Sequence, residues 1–224
     1  MTDERELVRL FAFRYDVFVG ELGWLARKDR GAQILVDEFD RESAEYAAYD
    51  NVGRIVGSLR VVADGPLGLP LERCQVLNGY RIPRRRIVEL SRLAVTPRWR
   101  GTLLAALLMK AGYQCAEQTG ATHIVLDTYV GAGKSSDALY VKMGFTQLTE
   151  PYPDPDYLWQ RSVTTFGLDC AEAHRNWPRE RPALYHFFTS EDERIDHGLR
   201  SGPRLALARG KAPDRRRTPD RRRG

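Results

Sequence analysis

Two charges of opposite sign, Glu89 and Arg92, stand three residues apart in a stretch that otherwise reads as a core β-strand, Glu89 to Thr96. β-branched Ile87 and Val88 precede it, and Pro97 closes it because proline cannot continue a central ladder. Laid out as an extended strand, Leu90, Arg92, Ala94 and Thr96 take one face. Glu89, Ser91, Leu93 and Val95 take the other. Charges inside a core strand are costly unless they are paired or used. A buried carboxylate has a raised pKa and can serve as a proton acceptor near neutral pH. The strand is therefore expected to floor a reaction site.

Other charged residues can join it. Arg14, Arg60 and Arg92, with Asp37 and Asp40, are read as one cluster drawn from separate segments. It is either a structural ion-pair network or a grip on the carboxylate of a polar substrate, which a guanidinium holds in bidentate fashion. Glu89 can likewise be paired across the sheet or act as a base. Phe18 and Trp24 are core residues or a cover that excludes water. Tyr140 has the spacing of a core residue. His123, His174, His186 and His197 show no ligand spacing, so no metal is expected. Cys74, Cys115 and Cys170 are scattered and read as reduced thiols of a cytoplasmic protein.

The elements that position these residues follow from periodicity. A helix is predicted from about Asp3 to Gly20, with Arg14 and Phe18 on one face. The stretch to Val36 is irregular. Asp37 to Asp40 is a compact acidic turn. Ala44–Asp50 and Arg54–Ala63 form a hairpin about Asn51-Val52-Gly53. Residues 64–83 form a loop, followed by the charged strand. A helix is expected over Arg100–Thr119, with Leu103, Leu104, Leu107, Leu108, Ala111 and Cys115 on its buried side. A strand follows over His123–Val130. A short helix capped by Ser135 or Ser136 carries Leu139, Tyr140 and Met143, and Gly144 stops it. A proline-stiffened loop, a strand over Tyr157–Phe166 and a helix broken near Pro178 and Pro182 complete the order. This order implies an α/β fold with a mixed sheet, antiparallel at first and parallel where a helix crosses over.

Length and composition fit one sizeable domain, residues 1–190, with an appendage, residues 191–224. No apolar run is long enough for a membrane span, and the charged N-terminus is unlike a secretory signal. The last 34 residues hold 11 Lys and Arg against 6 Asp and Glu, which accounts for the whole net charge of +5. This basic tail is expected to be disordered, as a solvated appendage or one that contacts nucleic acid.

The element order, the strand–Arg-Gly–helix junction (Val95, Pro97, Arg98, Arg100, Gly101) and the run Leu139 to Phe145 resemble the GNAT acyltransferase superfamily, with its LYxKxGF signature. A narrower pattern is similar to that of the acyl-homoserine lactone synthases and the related long-chain N-acyl amino acid synthases. It comprises Arg14, Phe18, Trp24, Asp37, Asp40, Arg60, Glu89 and Arg92, in that order. The resemblance implies a GNAT-like fold and an N-acyltransferase. It also implies that Glu89 is the base for the acceptor amine and that Tyr140 protonates the departing thiolate. Arg14, Phe18, Trp24, Asp37, Asp40, Arg60 and Arg92 become substrate-binding candidates. Leu93, Val95, Arg100, Gly101 and Thr102 become candidates for the donor's cofactor, and the backbone of Leu93–Val95 for the oxyanion if the strand splays or bulges there as it does in the superfamily.

The donor is expected to be the acyl-phosphopantetheine of an acyl carrier protein, because Leu103 stands where the GNAT pyrophosphate loop has a small residue. Arg84, Arg85, Arg86, Arg98 and Arg100 would then offer an acidic carrier its docking patch, or form a charged surface. The signature run Tyr140–Phe145 points to the N-acyl amino acid branch rather than to a lactone product. The acceptor is expected to be a small amino-acid-derived amine. The alternatives are a short acyl-CoA-dependent N-acetyltransferase and a non-catalytic GNAT-like binding module.

Overall fold

The computed structural model describes residues 4–26, 33–74, 77, 86–130, 137–155, 158 and 162–197. Helix α1 spans Glu4–Tyr15 and passes into a π-helical turn, Asp16–Glu21, where the Leu22 N–H reaches back five residues to Val17 O. The helix predicted to Gly20 thus changes pitch near its end. This widens the turn that carries Phe18.

Asp37 caps a 3-10 turn over Glu38–Arg41, accepting the Phe39 N–H, while Asp40 accepts the N–H of Asp37. The acidic turn is thereby stiffened by its own carboxylates. β1 (Ser43–Tyr49) and β2 (Ile55–Ala63) form the expected hairpin. Asp50 accepts the N–H groups of Val52 and Arg54, and Gly53 takes φ 76°. A short turn over Pro70–Arg73 leads toward β3 (Ile87–Val95).

α2 runs over Leu104–Gln118, four residues later than the start predicted at Arg100. Pro97–Trp99 forms a 3-10 turn and Gly101 has φ 75°, so the helix cannot begin before them. Leu103, expected on the buried side, is 53% exposed. Leu108, Ala111 and Cys115 are buried as expected, joined by Met109 and Gly112. Gly112 is needed there, since a Cβ would come within 2.7 Å of Leu59 on β2.

β4 (His123–Tyr129), α3 (Asp137–Lys142), β5 (Thr146–Gln147), β6 (Tyr152–Pro153) and β7 (Ser162–Asp169) follow. α4 (Cys170–Glu180) and α5 (Pro182–Thr189) meet at the break predicted near Pro182, whereas Pro178, where a break was also expected, lies inside α4. The proposed Ser135 or Ser136 cap, Arg84 and Arg85 lie outside the described residues.

The sheet order is β1-β2-β3-β4-β7-β5, with β6 also on β7. Among the described residues, only β3 and β4, joined through α2, pair in parallel. The strand that directly follows α3, β5, does not pair with β4. β7 inserts between β4 and β5, antiparallel to both, which limits the expected parallel pairing to a single crossover. β7 ends later than predicted, because Gly167 and Leu168 continue its pairing with Val125 and Ile124; most of the predicted start, residues 157 and 159–161, lies outside the described residues.

One face of the sheet packs on α2, α4 and α5 through residues such as Leu59, Leu90, Met109, Phe166 and Phe188. The other buries Phe39, Leu69, Leu71, Ile87 and Val125. A third cluster seats the π turn, with Tyr15, Val17, Phe18 and Leu25 against Ala94 of β3. Residues 191–197 return to α2 and β1. Asp192 lies 3.8 Å from the buried Lys110, and His197 bonds Tyr46 and Gln114. The rest of the basic tail lies outside the described residues. Among the described residues, no helix is long and apolar enough to cross a membrane.

Candidate active site

The site begins where two parallel strands part. β3 and β4 pair only at Ile87–Glu89 with His123–Val125, although both continue beyond. A cavity of about 430 Å³ occupies the gap. It is bordered by Ala105, Leu139 and Tyr140 on the α2 and α3 side, and by Asp37, Arg60, Leu71, Glu89, Asp127 and Asp154 on the other. Its volume suits a small ligand and a reactive arm.

The charged strand is not a plain alternating strand. Arg60 of β2 pairs with Ser91, but Ser58 pairs with Ala94, so Leu59 faces both Arg92 and Leu93. This is a β-bulge, and Arg92 sits in it at φ 55°. A left-handed non-glycine residue costs about 1–3 kcal/mol. Ser58 Oγ donates to Arg92 O at 2.9 Å and holds the bulge. One extra residue flips every side chain after it. Arg92 and Ala94 therefore share the face of Glu89 and Ser91, contrary to the alternation expected from the sequence. Leu93 and Val95 turn to the α2 side with Leu90.

The arginines and carboxylates do meet. Arg60 donates to Asp37 at 2.7 Å, to Asp40 at 2.9 Å and to Ser91 Oγ at 3.0 Å. Arg14 bonds Asp40 at 3.1 Å and also pairs with Glu45. Arg92 donates one bond, to Asp37 at 2.9 Å, and the rest of its guanidinium has no bond to another described residue. Burial raises the Asp37 carboxyl, but the guanidiniums of Arg60 and Arg92 outweigh it and hold Asp37 below its ordinary range. Asp37, Arg60 and Arg92 border the cavity. Arg14 and Asp40 do not; they lie behind Arg60 and brace it.

Glu89 is 1% exposed, and one of its oxygens accepts the Leu71 N–H at 2.9 Å. Burial, aided by the negative charge of Asp127, pushes its carboxyl up to about 8. Asp127 is itself pushed up to about 6, by burial and by Asp154. The site thus holds carboxyls poised on both sides of neutrality, which suits proton transfer from an amine.

On the other side of the gap, Tyr140 is buried beside Phe145 and Phe166, with ring centroids 6.2 and 6.0 Å away. It is positioned by the α3 stop. Gly144 has φ 89°, and any Cβ there would strike the Trp177 ring. Phe18, Trp24 and Tyr129 form an aromatic wall, with successive centroids 6.2 and 5.3 Å apart. The π turn and the end of β4 thus close the same cavity.

The junction before α2 is largely self-satisfied. Thr102 Oγ1 donates to Trp99 O at 2.7 Å and accepts the Leu104 N–H, and Arg100 N–H bonds Pro97 O. The Arg100 side chain donates to Val95 O at 2.9 Å and pairs with Glu21. Gly101 and Arg100 border the cavity; Thr102 does not. Reading the sequence missed Glu45, Asp127 and Asp154. An aspartate within the apolar run His123–Val130 was the available sign for Asp127. Glu45 and Asp154 had none, because their partners lie on distant segments.

With the geometry in view, the chain can be set beside known proteins. The model of the N-acyl amino acid synthase FeeM family matches residues 9–165. No curated protein sequence matches. Among solved structures, BjaI, described as a CoA-dependent acyl-homoserine lactone synthase, is 22% identical with a TM-score of 0.60. That match covers 82% of this chain and 81% of BjaI. FeeM, from uncultured soil microbes, is 16% identical at a TM-score of 0.55, covering 77% and 88%. TofI, solved with an inhibitor and MTA, is 23% identical at 0.55, covering 76% and 87%. At these identities the structural likeness shows the fold, which is GNAT-like as expected.

Proposed function

We propose, from the premise that this chain belongs to the N-acyl amino acid synthase FeeM family and is an N-acyltransferase, that it moves an acyl group from a carrier-protein thioester to the amine of an amino-acid-derived acceptor. The observation that carries the proposal is the cavity through the β3–β4 gap. It has proton-accepting carboxylates on one side and Tyr140 with an apolar wall on the other.

The acceptor occupies the charged side. Its carboxylate meets the guanidinium N–H groups of Arg92 that Asp37 leaves available. Glu89 is a base for the acceptor nitrogen, which must shed protons on its way from ammonium to amide. The acyl-phosphopantetheine arm enters from the α2 and α3 side. Attack produces a tetrahedral oxyanion in front of the bulged backbone of Leu93–Val95, where β4 no longer pairs with β3. Tyr140 protonates the leaving thiolate. Phe18 and Trp24 exclude water, which limits hydrolysis of the thioester.

Carrier protein is favoured over coenzyme A by the junction before α2. Its Arg100 is engaged with Glu21 and Val95, and the N–H groups of Arg100 and Leu104 are already bonded within the chain. A pyrophosphate would find few donors there. The second reading, an acyl-CoA donor, is favoured by Gly101, which keeps a bend at the cavity rim, and by the description of BjaI as CoA-dependent.

Purified protein given matched acyl-carrier and acyl-CoA thioesters with a panel of amino acids tests the choice. At least a ~10-fold higher kcat/KM with the carrier thioester is expected. Equal or faster transfer from coenzyme A replaces it with the second reading.

A further inference from the structure

Aminolysis of a thioester by a protonated amine removes two protons from nitrogen. The ammonium loses one before it can attack. The tetrahedral adduct loses another as the C–S bond breaks and the amide forms. One of these ends on sulfur as the thiol, and the other must leave through a base. Glu89 is enclosed, with one oxygen held by Leu71 N–H. It is poorly placed to serve both steps.

Asp127 supplies what is missing. It lies two residues beyond Val125, the β4 partner of Glu89, and so on the same face. That position is past the point where the strands part, and Asp127 borders the cavity. Its carboxylate has no hydrogen bond or ion pair to another described residue. Its charged and titratable surroundings are Glu89 and Arg92 of β3, Arg60 of β2, and Tyr152 and Asp154 beyond β5. Asp127 is half-buried at the edge of the cavity, so its carboxylate, unpaired among the described residues, is open to an ammonium that enters there.

We propose that Asp127 is a second catalytic residue, which seats the acceptor ammonium and takes its first proton. Nitrogen then bonds to the thioester carbon while the carbonyl π pair moves to oxygen. Glu89 takes the proton of the adduct nitrogen as the C–S bond breaks. The sulfur pair is protonated by Tyr140, which recovers a proton from Glu89. The one proton left on Asp127 passes to solvent, so the cycle balances. This inference rests on the acyl-transfer function proposed above.

The test compares Asp127→Asn with Asp127→Glu and the wild type, using an amino-acid acceptor and hydroxylamine, which is already neutral near pH 7. For Asp127→Asn, kcat/KM with the amino acid is expected to fall ~10²-fold, but less than ~5-fold with hydroxylamine. Its remaining rising limb moves to lower pH, because the charge that raises Glu89 is gone. Asp127→Glu recovers part of the rate. The Asn chain melts no lower than the wild type. Equal losses with both nucleophiles, an unmoved limb, no loss at all, or a marked drop in Tm would each overturn the role of Asp127. A wild type that acylates no amine overturns this role and the proposed function together. A wild type matched by Asp127→Asn overturns only the role of Asp127.

Discussion

Glu89 and Asp37 sit in one site yet respond to pH in opposite ways. The folded-state pKa of Glu89 is raised to about 8 from 4.5. Its neutral form therefore favours folding at low pH, and that contribution is lost as pH rises from 4.5 through 8. Asp37 is held below 3.8 by Arg60 and Arg92, so its contribution is present above that value and lost on acidification below it. Glu89→Gln, which stays neutral, is expected to flatten the decline in stability between pH 4.5 and 8, by on the order of 5 kcal/mol at the alkaline end. Urea unfolding across that range measures it. Parallel curves for the two chains would show that Glu89 ionises freely in the folded protein.

The bulge in β3 is the element on which the site depends. By adding one residue opposite Leu59 it brings Arg92 round to the face of Glu89. The same kink accompanies the parting of β3 from β4 that opens the cavity. Arg92 carries a backbone strain that glycine would not. In Arg92→Gly, relief of that strain offsets part of the lost bond to Asp37. Stability is expected to change by less than ~1.5 kcal/mol, while KM for the acceptor rises ~10-fold or more. Steady-state kinetics beside a thermal melt separates the two effects. A large loss of stability with unchanged KM would make Arg92 a structural member of the ion-pair network.

At the scale of the molecule, the chain after α5 has two parts. Residues 191–197 pack on α2 and β1, where Asp192 accompanies the buried Lys110 and His197 bonds Tyr46 and Gln114. A chain ending at residue 197 is expected to keep both its Tm and its acyl transfer, although it lacks most of the basic tail. A chain ending at residue 190 leaves Lys110 without Asp192 and is expected to lose about 1–3 kcal/mol. Melting and transfer assays on both truncations check this. Loss of activity in the longer one would give the tail a part in catalysis or in carrier recognition.

The order of elements was legible in the sequence because it is written in local terms. The hairpin about Gly53, the stop at Gly144 and the proline break before α5 each follow from residues that restrict their own backbone. The charged residues that gather around Arg60 were also legible, through the resemblance their spacing carries. The bulge was suggested by that resemblance alone; the residues do not show it, because it arises from the register between β2 and β3, and the run Glu89–Thr96 alternates as if it were regular. Nor was the place of Asp127 in the cavity. A β4 residue faces open space only because β3 turns away after Glu89, and β7 rather than β5 takes the neighbouring position. Residue types and local backbone preferences determined which groups could act. Strand register and strand divergence, which depend on distant segments packing together, decided which of them share one cavity.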